Sequence, residues 1–253
     1  MPKNETGTNL STTYLTGLLG TTITSVEPIS GGNNSRAFKV TTQDNSTYFA
    51  KLYPGPTADG QSRMSAEFKA LEFLHNGGID CVPKPIIVDQ SRQCGIYEFV
   101  SGTKLVSSDT TAADIDQATR FLHRVNQLKD DPKSLNLAIA AEACFSFQAI
   151  IDNLETRLTQ LQAVHHSSPW KGELDNFLNK EFLPVFKTVL TWCHKRVADN
   201  GSSMGTETKP ETRTLNPSDF GFHNCIRRSD GELIFLDFEY FGWDDPAKMI
   251  CDF

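Results

Sequence analysis

Near its C-terminal end the chain reads Leu215-Asn216-Pro217-Ser218-Asp219-Phe220-Gly221-Phe222-His223-Asn224, and then Ile234-Phe235-Leu236-Asp237-Phe238-Glu239. Asp219 and Asn224 lie five apart in an irregular stretch, and Asp237 follows Asn224 by thirteen at the end of an apolar run. Between them, Cys225–Arg228 and Leu233–Phe238 flank Ser229-Asp230-Gly231, the pattern of a tight hairpin. Such a hairpin can gather two carboxylates and an amide oxygen at one end. Asn224 and Asp237 offer hard oxygen donors of the kind Mg²⁺ takes alongside phosphate and water. Asp219 beside them suits a base or orienting group for a hydroxyl nucleophile. An Asp and an Asn in a loop would by themselves read as an Asx turn; the spacing and the apolar approach to Asp237 favour a site.

A second signal lies far upstream. Thr22–Ile29, Ala37–Thr42 and Thr47–Tyr53 are three β-rich runs joined by turns at 30–35 and 43–45, an antiparallel meander. Lys51 interrupts the apolar Tyr48-Phe49-Ala50-Lys51-Leu52-Tyr53. On an outward face it would be an ordinary surface lysine; pointing inward, it would meet phosphate charge and need an anionic partner. Glu67, on the helix predicted over Arg63–His75, is the first candidate and Glu72 the second. Two short strands follow, Pro85–Val88 and Gly95–Val100, and Ser101-Gly102 reads as a hinge.

Beyond the hinge the periodicity becomes helical. A helix capped near Asp109-Thr110 runs to Leu128 with Ile115, Ala118, Leu122 and Val125 on one face. Phe145–Val164 and Leu174–Val197 are two more amphipathic stretches, the second kinked by Pro184. The order implies an α+β chain of two lobes: residues 1–100, a sheet with one helix, and residues 101–253, mainly helical with a β-hairpin. A small ligand is expected between them.

Composition narrows the function classes. With 24 Lys and Arg against 31 Asp and Glu the net charge is -7, a poor balance for gripping nucleic acid. The excess lies at the end, where seven acids after residue 229 face a single lysine, Lys248. The polar N-terminus lacks the apolar core of an export signal and no apolar run approaches bilayer length, so no membrane partner and a cytoplasmic location are expected. Six scattered cysteines without a Cys-x-x-Cys pair fit reduced thiols rather than zinc or disulfides. Trp170, Trp192 and Trp243 could stack on a substrate ring, although a lone tryptophan more often packs in a core.

Together these residues resemble the aminoglycoside phosphotransferase and choline kinase-like family, whose members have a two-lobed protein-kinase-like fold. The likeness runs from about Thr22 to Phe253. It rests on Asp219 and Asn224 with Asp237 thirteen further on, on Lys51 with Glu67, and on the turn Gly31-Gly32-Asn33-Asn34-Ser35. The hinge Tyr97-Glu98-Phe99-Val100 and Asp245-Pro246 add to it. The resemblance implies transfer of the ATP γ-phosphoryl group to a hydroxyl of a small molecule: a sugar, an amino alcohol or an aminoglycoside-like acceptor. It implies that Lys51 meets phosphate charge, that Gly31, Gly32, Asn33, Asn34 and Ser35 cover the phosphates, and that Glu98 and Val100 meet adenine through their backbones. Asn224 and Asp237 would hold Mg²⁺, and Asp219 would be catalytic.

The chain departs from the family pattern at Pro217, where a histidine usually supports the catalytic loop, and at Met249, where an Asp is common. The loop must then be held by Pro217 rigidity and by Phe220 and Phe222; His223 either substitutes for the missing histidine or is packed or solvent-facing. The helical run ending at Phe253 reads as cut mid-pattern, so family-type acceptor helices are expected beyond it. The alternative function is a nucleotide-binding module without transfer activity. A protein kinase is disfavoured, since no Ala-Pro-Glu-type segment follows Asp237.

Overall fold

The structure is a computed structural model, and it describes residues 10–30, 35–55 and 62–253. Two compact units divide the chain: residues 1–142 with 214–253, and residues 143–213.

The first unit opens with helix α1, Thr12–Leu19, capped by Ser11 and closed by Gly20 in the left-handed region at φ 67°. Strands β1 (Ile23–Ile29), β2 (Arg36–Thr42) and β3 (Thr47–Leu52) form the expected meander, followed by α2 (Arg63–Asn76), β4 (Pro85–Asp89) and β5 (Cys94–Glu98). The five strands make one antiparallel sheet in the order β1-β2-β3-β5-β4.

Because side chains alternate along a strand, β3 serves two surroundings. Tyr48, Ala50 and Leu52 belong with Leu15, Phe38, Val40 and Ile96 in a cluster completed by α1. Phe49 and Tyr53 join Met64, Leu71, Leu74 and Tyr97 on the side of α2. Lys51 shares that second face and is buried, at 5% exposure. The surface-lysine reading fails.

After β6 (Thr103–Lys104) comes α3, Ala112–Gln127, capped one residue beyond the predicted Asp109-Thr110: Thr111 caps it in a capping box with Asp114. Its buried face is also rotated from the predicted one. Asp114, Ala118, Phe121 and Val125 are buried, whereas Ile115 is 49% exposed. Phe121 sets this rotation by stacking on Phe220 and Phe235, at 5.4 and 4.6 Å between ring centres. Arg227, 2.6 Å from Asp114, neutralises the buried carboxylate.

The second unit carries α4 (Phe147–Gln162), α5 (Lys171–Phe177) and α6 (Leu183–Asp199). The single helix expected over 174–197 is broken by a π-helical turn, Leu178–Phe182. Pro184 has no N–H to give and its ring would strike the Lys180 carbonyl in a regular helix, which accounts for the distortion. Trp170 and Trp192 are exposed.

The chain re-enters the first unit through β7 (Thr214–Asn216), a strand where an irregular segment was expected, because it pairs with a later strand. Strands β8 (Cys225–Arg227) and β9 (Leu233–Phe235) form the predicted hairpin, and its turn uses Gly231 at φ 90°. Strand β10 (Gly242–Asp244) pairs with β7, and α7 (Pro246–Cys251) follows. Among the described residues no helix is long and apolar enough to cross a membrane.

Candidate active site

Lys51 is brought to the sheet's inner face by strand alternation, and there it meets three carboxylates. Its Nζ donates to Glu67 Oε2 at 2.8 Å and to Asp237 Oδ1 at 2.7 Å, and lies 3.2 Å from Glu239 Oε2. Glu67 is 5% exposed and wins over Glu72, which faces outward on the same helix. Burial alone would lower the Lys51 ammonium; the charges of Glu67, Asp237 and Glu239 outweigh it and hold the group above the usual lysine range. Burial pushes the Glu67 carboxyl up, with Lys51 pulling it back. Three carboxylates around one amine keep Lys51 protonated.

Two further residues complete this cluster that sequence reasoning passed over. Glu239 is 4% exposed, and its Oε1 accepts from Arg63 at 3.2 Å. Its place two residues after Asp237 was the available signal, since an acid there returns to the same side of the chain. Arg63, at the start of α2, gave no such signal.

Asp237 itself sits at φ 66°, in the left-handed region. That backbone explains why β9 stops at Phe235 rather than running to 238 as predicted. The turn redirects the carboxylate towards Lys51, and the next amide, Phe238 N–H, is donated to Glu67 Oε1 at 3.3 Å. A non-glycine residue held there is strained, and such strain concentrates at functional sites.

The loop before β8 brings up the remaining groups. Leu236 N–H bonds the Asn224 carbonyl at 2.9 Å, which sets Asn224 beside the residue preceding Asp237. Asn224 Nδ2 donates to the Asp219 carbonyl at 2.9 Å and to its Oδ2 at 3.1 Å, leaving the amide oxygen as its donor to a cation. His223 Nε2 lies 3.1 Å from Asp219 Oδ1 and is exposed, so it is solvent-facing yet bonded to the carboxylate. Lys51 thus bonds Asp237, Asn224 bonds Asp219, and the two pairs are tied through the backbone of Leu236, next to Asp237.

Phe220 is buried among Phe121, Phe235 and Phe253, and Phe222 packs on Phe253, as the expectation for the loop required. The larger support comes from Asn216, an unforeseen residue. It is fully buried, accepts from Ser218 N–H at 2.8 Å, and donates to Asp244 at 2.9 Å and Asp252 at 3.0 Å. Ser218 takes φ 69° and its hydroxyl bonds the Tyr240 carbonyl.

Gly31, Gly32, Asn33 and Asn34 lie outside the described residues, and Ser35 forms a bend before β2. Glu98 ends β5, with its N–H given to the Lys84 carbonyl and its carboxylate bonded to Lys84 N–H and Arg228. That N–H is therefore already engaged within the sheet. Val100 is buried.

The oxygen donors suit a hard divalent cation. Ligand atoms of Glu67, Asp237 and Glu239 lie within 4.8 Å of one another, and no sulfur or nitrogen ligand is among them.

The profile of the phosphotransferase enzyme family matches residues 25–248. The chain belongs to that family. Among solved structures, this phosphotransferase is similar to spectinomycin phosphotransferase APH(9)-Ia in complex with ADP and spectinomycin. The identity is 14% and the TM-score 0.65, covering 94% of this chain and 72% of the other. It is also similar to choline kinase LicA from Streptococcus pneumoniae, at 19% identity and a TM-score of 0.58, covering 94% and 70%. A Plasmodium vivax ethanolamine kinase matches at 17% identity and 0.58, covering 89% and 59%. These likenesses show the α+β protein-kinase-like fold. No curated protein sequence matches the chain.

Proposed function

We propose that this phosphotransferase moves the γ-phosphoryl group of ATP to a hydroxyl of a small molecule. Residues 1–100 would form the nucleotide lobe and residues 101–253 the lobe that bears the catalytic loop. The observation that carries the reading is the 2.7 Å contact between Lys51 and Asp237, 186 residues apart. A lysine and a left-handed aspartate joined across so much chain, with Glu67 and Glu239 around them, is costly as a mere structural staple. It is the arrangement phosphoryl transfer needs, since that chemistry asks chiefly for positioning and charge neutralisation.

In this reading Lys51 meets the α- and β-phosphates, held in place by Glu67. Asn224 and Asp237 would hold Mg²⁺, with Glu239 close by; the ion's contribution would be to offset charge on the phosphate oxygens. Asp219, its two oxygens oriented by His223 and Asn224, accepts the acceptor's hydroxyl proton. The acceptor oxygen forms its bond to the γ-phosphorus as the bond to the β–γ bridging oxygen breaks, and ADP leaves with that electron pair. The spectinomycin, choline and ethanolamine enzymes similar in fold support an acceptor that carries both a hydroxyl and a cationic nitrogen.

The test is ADP release from Mg-ATP with panels of sugars, amino alcohols and aminoglycosides. Asp219→Asn is expected to keep Mg-ATP binding and lose transfer by about 10²–10⁴-fold. Asp237→Asn is expected to lose Mg-ATP binding. Normal turnover by the Asp219 variant would remove its catalytic role. Mg-ATP binding without turnover on any acceptor would favour the nucleotide-binding module instead.

A further inference from the structure

Glu67 is bonded on more sides than a partner for Lys51 requires. Its Oε2 accepts from Lys51 and also from Tyr53 Oη at 2.5 Å, and Tyr53 Oη lies 2.7 Å from Tyr97 Oη. Tyr53 has one hydroxyl hydrogen, and Glu67 takes it. The hydrogen between the two phenols therefore comes from Tyr97, and the direction runs Tyr97 to Tyr53 to Glu67. Burial, reinforced by the charge of Glu67, pushes both phenols well above the usual tyrosine range, so both remain protonated donors.

The sheet is shaped for this row. Gly95 stands opposite Lys51, two residues before Tyr97 on the same face of β5. A Cβ on Gly95 would come within 2.5 Å of Tyr97 Oη, so the glycine leaves the space into which the phenol leans. Both tyrosines are buried, at 7% and 2% exposure, where a hydroxyl is retained at a cost unless it is bonded.

We propose that Tyr53 and Tyr97 are positioning residues for phosphoryl transfer: a one-way row of two phenols fixes the Glu67 carboxylate, and through it Lys51. The inference rests on Lys51 being the nucleotide contact. Glu67 has a second readout, because its Oε1 holds the Phe238 amide next to Asp237. Losing the Tyr53 hydroxyl leaves Oε2 short of one donor in a place closed to water, and the carboxylate must tilt to recover it. Lys51 and Phe238 N–H then lose alignment together.

The test uses the full chain as wild type, Tyr53→Phe and Tyr97→Phe, with amide hydrogen exchange measured at Phe238 and in α3, and Mg-ATP affinity measured by calorimetry. Tyr53→Phe is expected to speed exchange at Phe238 about tenfold, leave the α3 amides unchanged, and weaken Mg-ATP about tenfold. Tyr97→Phe, acting through Tyr53, is expected to give about threefold in both readouts and carries the test if Tyr53→Phe does not fold. Unchanged exchange at Phe238 in the folded variants would overturn the proposal, as would equal acceleration in α3, which signifies only a looser core. If Phe238 responds while wild type binds no Mg-ATP, the row of phenols stands and the nucleotide reading falls.

Discussion

Replacing Asn216 tests how the catalytic loop is supported. The side chain is fully buried and makes three hydrogen bonds, one to a backbone amide and two to carboxylates, of Asp244 and Asp252. A neutral hydrogen bond contributes about 1 kcal/mol and one to a charged group about 1.5–3. Lys248 stays near both carboxylates, at 3.3 and 2.7 Å, and the Asp245 amide still reaches Asp244, so part of the loss is recovered. Asn216→Ala should then cost about 3–5 kcal/mol, a large share of the 5–15 kcal/mol typical of a folded domain. Asn216→Asp separates hydrogen bonding from packing. It keeps the shape and the acceptor for Ser218, but puts an oxygen where Nδ2 now faces two carboxylates. Like charges raise the new carboxyl's folded pKa above its unfolded value. The folded state then holds the proton more tightly, so stability falls as pH rises through that interval. Asn216→Asp should be less stable than Asn216→Ala at pH 7 and regain ground near pH 5. Urea unfolding followed by Trp243 fluorescence is the assay; Trp243 pairs with Leu215, next to Asn216, and its indole N–H is held by Ser134. A cost below about 1 kcal/mol for Ala with unchanged urea slope, or an Asp variant as stable as Ala at pH 7, would refute the reasoning.

Two more predictions concern parts away from the loop. Burial opposes ionisation of Asp114, yet its bonds to Thr111 and Arg227 hold the carboxyl below the usual aspartate range. Its stabilisation is present above the unfolded pKa and is lost as pH falls through the lower folded value, so acid unfolding below about pH 4 should be shallower in Asp114→Asn. Thiol labelling should begin at Cys251, which is exposed, whereas Cys94 and Cys225 should react only on unfolding. Burial pushes those two up to about 11 and about 12, and mass spectrometry of partly labelled protein gives the order.

What the sequence revealed was what short spacing can encode. Asp219, Asn224 and Asp237 fall on one hairpin, so their grouping follows from local geometry, and Lys51 stood out as a charge within an apolar strand. Glu67 was reachable because α2 follows β3 directly. Tyr53 and Tyr97 were hidden, since each reads as an ordinary strand aromatic until β5 is laid beside β3. Asn216 was hidden for the same reason: its partners lie 28 and 36 residues away. In α3 the apolar pattern admitted two faces, and Phe121 with its ring partners selected one. Helix α1 went unseen because Thr12, Thr13 and Thr16 are weak helix formers; Ser11 and Gly20 were its legible ends.

The double life of β3 restricts how such a chain can drift. Its even-numbered side chains serve a dry interior shared with α1, and its odd-numbered ones face α2, where Phe49 packs and Lys51 serves chemistry. Adding or deleting one residue there exchanges the two sets at a stroke, driving an ammonium into hydrocarbon and an alanine into the reaction centre. Descendants of this strand can therefore change its letters singly, but never its length by one.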